Sequence, residues 1–140
     1  MSLSLWMVLG FSGWTLLALL AGVGVRRWTL ILRGEAALTS FPGDVPHGST
    51  AYRRAVRAHA NCLETLPIFA GVVLVATVAG RGSRTLDALA AITLGARMLQ
   101  TSVHMLLEET SRTVAVRFTF FLVQLLAIVA MGLLVATTAR

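Results

Sequence analysis

An all-α membrane protein, a bundle of four transmembrane helices in one domain over residues 1–140, is the fold class this sequence predicts. Three observations carry the prediction. Hydrophobic residues fill 56% of the 140 positions and charged residues only 13%. Apolar residues collect in four stretches of about 20 residues each, the length that crosses a bilayer's hydrocarbon core. Polar connections rich in Gly, Pro and Ser separate these stretches. A mean hydropathy of +0.80 leaves little mass outside the membrane.

The first span covers about residues 3–25. No basic residue precedes it and Arg26-Arg27 follow it, the reverse of a secretory leader, so it reads as a retained span. Residues 26–52 form a polar connection with turn signals at Gly34, Pro42-Gly43-Asp44 and Pro46-His47-Gly48. Leu30 to Leu32 suggest that the first helix outruns the bilayer or turns along its surface, and His47 reads as solvated. The second span covers about 55–78 and carries Pro67, which removes a helix donor and predicts a kink. Gly80 to Arg84 make a tight connection, with Ser83 or Thr85 as the next cap and Asp87 in the first turn. The third span covers about 86–107 and places Arg97, Gln100, Thr101, His104 and Glu108 on one stripe. Residues 108–112 form a short polar turn with Ser111 as a cap and Glu108-Glu109 solvated. The fourth span covers about 113–138, with Arg117 near its start and Gln124 two turns on.

All twelve basic residues are Arg, and the net charge is +6. Nucleic acid is excluded as a partner, because no soluble basic domain exists to carry it. The arginines instead flank the spans, where they set orientation and meet anionic lipid. Eight of them lie at the first and third connections, against three at the opposite side. The positive-inside rule then puts both termini outside and these two connections in the cytoplasm. A single cysteine, Cys62, excludes an intrachain disulfide and reads as inert. No metal-ligand spacing, Gly-rich phosphate loop or Ser/His/Asp order is present, so no metal is expected.

The chemistry concentrates in Arg53-Arg54-Ala55-Val56-Arg57-Ala58-His59-Ala60-Asn61-Cys62-Leu63-Glu64-Thr65-Leu66-Pro67. Arg57, Asn61 and Glu64 stand at i, i+4 and i+7 on one helix face, and Arg53 and Arg54 continue it one turn earlier. A charge at the centre of an isolated span costs about 2.5–3.5 kcal/mol or more. Such groups persist where they meet a partner, a cavity or a ligand. His59 points away from this face.

The run Arg57-Ala58-His59-x-Asn61-x-x-Glu64-Thr65-x-Pro67 resembles the second helix of the MAPEG proteins, the membrane-associated proteins in eicosanoid and glutathione metabolism. The resemblance extends over the chain in length and span number. It implies a homotrimer, glutathione as the cofactor and a site at a subunit boundary. Arg57, Asn61 and Glu64 would bind glutathione, with Arg53, Arg54 and Arg26 or Arg27 at the mouth. The pairing suits the ligand: guanidinium forks match its carboxylates, a carboxylate its ammonium and an amide its peptide groups. Arg97, after Gly95-Ala96, resembles the family's third-helix arginine and, with His104, is counted among the ligand residues. Many relatives carry His and Tyr where this chain has Gln100 and His104. Arg117, followed by Phe118, Phe120 and Phe121, resembles the start of the fourth helix in the leukotriene-synthesising members. There the arginine contacts the glutathione sulfur, and Arg117 is the residue expected to be catalytic.

The function expected is a glutathione-dependent membrane enzyme. It would transfer the thiolate to a lipophilic small molecule or reduce a lipid hydroperoxide, near the cytoplasmic face. The alternatives are a non-catalytic binding protein of the same fold and a small four-helix multidrug transporter.

Overall fold

The computed structural model describes residues 1–43 and 45–137. Asp44, read as part of a turn, Thr138, read as the end of the fourth span, and Arg140, counted at the outer side, lie outside the described residues.

Among the described residues four helices make up the fold: α1 (Leu3–Leu32), α2 (Thr50–Val78), α3 (Arg84–Leu106) and α4 (Ser111–Thr137). Ser2, Ser49 and Ser83 cap the first three, each hydroxyl accepting from a backbone N–H three residues on. Ser83, not Thr85, is thus the cap of α3. The cap of α4 is Thr110 rather than Ser111. Its hydroxyl accepts from Thr113 N at 3.2 Å, while Thr113 Oγ1 accepts from Thr110 N at 2.8 Å. This reciprocal pair serves two otherwise unpaired donors.

Two helix ends depend on glycine. Gly34 (φ 71°) follows α1 and Gly80 (φ 67°) follows α2, both in the left-handed region. At α2, Arg81 N donates to Ala76 O and Gly80 N to Thr77 O, a Schellman closure; Glu35 and Gly34 repeat it on Leu30 and Ile31. α1 does run on to Leu32, past the predicted span. α2 continues unbroken through Pro67.

One feature was not foreseen. Residues Ala18–Gly24 form a π-helical stretch within α1, and Val25 N donates five residues back to Leu20 O. Gly22 in this stretch sits where three helices meet. A Cβ there would lie 2.6 Å from Met105 Cε and 3.2 Å from Ala55 Cβ. Gly22→Leu is therefore expected to cost about 1–3 kcal/mol through overpacking. Gly13→Leu, where a Cβ meets nothing within 4 Å, serves as the control in detergent unfolding. Equal stability of the two variants would rule out this close approach.

Phe11, Cys62, Phe69, Val73, Leu86, Ala90 and Met131 form the main core. The Phe11 and Phe69 rings lie 5.7 Å apart. Outside it the helices present apolar side chains: Val78, Leu106, Phe118, Leu126 and Leu133 are all exposed. Among the described residues three helices, α1, α2 and α4, are long and apolar enough to cross a membrane. Only 28%, 22% and 28% of their apolar windows are buried within the chain, so most of that surface faces outward. α3 falls short of that apolarity because Arg97, Gln100, Thr101 and His104 interrupt it. All four are buried, so these groups face into the bundle and not away from it.

Candidate functional site

At one end of the bundle the C-terminal turns of α1, the first turns of α2 and the connection after α3 converge. With Pro42, Gly43, Val45, Pro46 and His47 they line a half-open cavity of about 790 Å³. Arg27, Arg53, Arg54 and Arg57 line it, together with Glu108 and Glu109. Four guanidinium groups against two carboxylates leave an excess of positive charge. Planar forks at this density suit carboxylate or phosphate groups.

Each arginine owes its place to local structure. Arg53 and Arg57 are a helical turn apart on α2, whose start Ser49 fixes by accepting from Tyr52 N at 3.2 Å. Arg27 is held by aromatic residues. Its Nε donates to the Tyr52 hydroxyl. Its guanidinium carbon lies 5.2 Å from the centre of the Phe41 ring and 5.7 Å from that of Tyr52. Such cation–π contacts are worth about 0.5–2 kcal/mol each. His47 belongs to the same cluster, 5.3 Å from the Tyr52 ring. This corrects its reading as a solvated loop residue, because the preceding turns fold the loop back over α2.

Arg117 joins from α4 through Glu109. The same carboxylate oxygen, Glu109 Oε1, lies 3.2 Å from Arg117 Nη1 and 3.6 Å from Arg57 Nη1. Glu109 is therefore no idle member of a solvated turn. The short connection reverses the chain so that the second turn of α4 passes back beside it. The hydrogen bond from Arg117 holds the Glu109 carboxyl below its ordinary pKa, outweighing the opposing desolvation, and the charge of Arg57 adds to the lowering. A depressed folded pKa means the pair's stabilisation is present above the unfolded-state pKa. It is lost as pH falls through the folded one. The melting difference between the parent and Glu109→Gln should accordingly vanish at the acid end of a pH series. A difference that persists there would count against the ion pair as its source.

The remaining residues expected at the site fall into two groups. Asn61, half-buried, and Glu64, exposed, continue the Arg57 face along α2 but do not line the cavity. Glu64 falls at the midpoint of α2, deeper along the helix than a reading from the span's edge implies. Arg97 and His104 are buried inside the bundle. Arg97 donates from Nη2 to Thr65 Oγ1, and its guanidinium carbon lies 5.6 Å from the centre of the Phe11 ring. Near it, Gln124 Nε2 donates to Gln100 Oε1 at 2.9 Å, tying α4 to α3. Cys62 Sγ lies 3.4 Å from Thr101 Oγ1, buried among these groups, in keeping with an inert thiol. Sequence reasoning missed Glu109 as a partner of the arginines and Tyr52 as the anchor of Arg27. Glu109 lies in the connection before α4, so the helical spacing that places Arg117 does not extend to it. Tyr52, one residue before the Arg53-Arg54 pair, offered the only hint.

Neither the curated proteins nor the solved structures compared with this chain gave a match. The model of the MAPEG family matches residues 4–137, nearly the whole length. That family comprises membrane proteins of glutathione and eicosanoid metabolism, which generally use glutathione, and some of its members are not catalysts. With its outward-facing apolar helices, the chain is an integral membrane protein and belongs to the MAPEG family.

Proposed function

We propose that this protein is a glutathione transferase or peroxidase of the MAPEG type. Glutathione would enter the arginine-lined cavity, and its thiolate would attack a lipophilic electrophile or a lipid hydroperoxide arriving from the bilayer. The observation that carries the proposal is the joining of Arg27, Arg53, Arg54 and Arg57 in one cavity, with Arg117 linked to it through Glu109. Glutathione brings two carboxylates to this excess of cations. Arg117, on a separate helix, would stabilise the thiolate.

All four helices would span the membrane in this reading. The inward placement of the α3 polar groups supports that, since α3 would show lipid its apolar side. The assembly would be a homotrimer with the arginine-rich end in the cytoplasm. Glu64 supports a covered α2 face. It is exposed on the single chain at mid-helix, where contact with hydrocarbon would cost about 2.5–3.5 kcal/mol or more. A neighbouring copy would bring Asn61 and Glu64 into the site from the side that the single chain leaves open. The excess of arginines also weighs against a multidrug transporter of lipophilic cations.

Purified protein in lipid nanodiscs would be titrated with glutathione by calorimetry, then assayed for conjugation to a generic aryl halide. Binding with turnover is the expected result. Binding without turnover would favour the non-catalytic reading, and no binding would reject glutathione as the ligand.

A further inference from the structure

Glu109 occupies a place that an anionic ligand would want. Its Oε1 is shared by Arg57 of α2 and Arg117 of α4, at 3.6 and 3.2 Å. Among the described residues these are the ion pairs formed, so Glu109 is the acid that each of these two arginines meets within 4 Å. Two guanidinium groups brought to one point repel each other, and a carboxylate between them offsets that repulsion. Glu109 also lines the cavity, and its side chain is 47% accessible, so it can swing away without disturbing the core. Glu108, the next residue, lines the same cavity without bridging the arginines.

We propose that Glu109 is a built-in counter-anion. It holds Arg57 and Arg117 together in the empty protein and yields them to an entering anionic ligand. The inference rests on the reading that this cavity takes such a ligand, and it adds selection. A ligand that brings its own negative charge replaces what Glu109 supplied. A neutral one leaves the pair closed and gains nothing from the arginines. Glu109 thus acts on the ligand through the two arginines and is a positioning residue.

The test compares the parent, Glu109→Gln and Glu108→Gln, each full-length in nanodiscs. Two probes are used: glutathione by calorimetry, and inorganic sulfate by its upward shift of the melting temperature. Removing the competing charge should tighten binding of both probes about three- to tenfold in Glu109→Gln, in line with a partly exposed ion pair. Glu108→Gln should change it less than about twofold, and added salt should shrink the Glu109 effect by screening. A residue that only supports the loop would give weaker binding on substitution, so tightening is the distinguishing sign. Glutathione binding the parent and Glu109→Gln alike would overturn the counter-anion while leaving the glutathione reading intact. Sulfate binding Glu109→Gln more tightly, with glutathione binding neither, would uphold the counter-anion and reject glutathione. Equal tightening in both Gln variants, or no sulfate response in any variant, would overturn it. Should Glu109→Gln fail to assemble, Glu109→Asp, which keeps the charge but shortens its reach, must tighten binding at least twofold for the proposal to stand.

Discussion

Arg117→Ala is expected to lose the glutathione thiolate near neutral pH, and with it most turnover, while keeping much of the glutathione affinity. A free thiol has a pKa of about 8.5, so only a few per cent is ionised at pH 7. Each unit by which a nearby cation lowers that pKa corresponds to about 1.4 kcal/mol and raises the thiolate up to tenfold. Nucleophilicity falls part of the way back as the pKa falls, so the net gain is smaller than the ionisation gain. Arg117 suits this role by position. Its side chain is 17% accessible, and it meets the cavity residues through Glu109 rather than lining the cavity. Arg57, 66% accessible at the cavity wall, suits the binding of a carboxylate. Arg57→Ala should reverse the pattern. Losing one charge-assisted contact costs about 1.5–3 kcal/mol, more than tenfold in affinity, with the thiolate absorbance retained once the site is saturated. Parental thiolate absorbance and rate in Arg117→Ala would remove the role from Arg117.

The sequence was informative where a single helix holds the pattern. Arg53, Arg54 and Arg57 stand close along α2, and helical spacing alone put them on one side. Arg97 and His104 also follow from spacing, and their burial follows from the cost of leaving them in lipid. Arg117 stands near the start of another helix, and the shared Glu109 carboxylate shows how near it comes to Arg57. What stayed hidden depends on chain reversal or on close packing. Glu109 meets its arginines only because residues 107–110 turn tightly. The Arg27–Phe41–His47–Tyr52 cluster needs the 33–49 segment to fold back, and no periodicity encodes that. The π-helical stretch around Gly22 answers to the side chains of Met105 and Ala55 on other helices, which a local reading of Ala18–Gly24 cannot include.

Arg97 is the group through which the interior can be tested, and Phe11→Ala is expected to be the more damaging of two substitutions there. Phe11 is fully buried, packs on Phe69 and presents its ring to Arg97. Lipid offers no hydrophobic driving force between helices, so the loss falls on packing and on the cavity left behind. Buried Phe→Ala changes cost about 3–5 kcal/mol, and here the buried guanidinium also loses the ring. Arg97→Met behaves differently. It fills a similar volume with an apolar chain and removes a charge whose burial is costly, a change that is often neutral or stabilising by about 1–4 kcal/mol. The hydrogen bond to Thr65 is lost with it, and Thr65 still donates to Asn61 O at 3.1 Å, so its proton stays paired. Combining the two substitutions should recover part of the Phe11→Ala loss, by about 0.5–2 kcal/mol, since the ring's interaction with the cation has already gone. Unfolding in detergent, read for the parent, both single variants and the double, measures this coupling. Strictly additive costs would show that the Phe11 ring does not support the charge. An Arg97→Met protein that fails to assemble would show that Arg97, through its hydrogen bond to Thr65, holds α2 and α3 together.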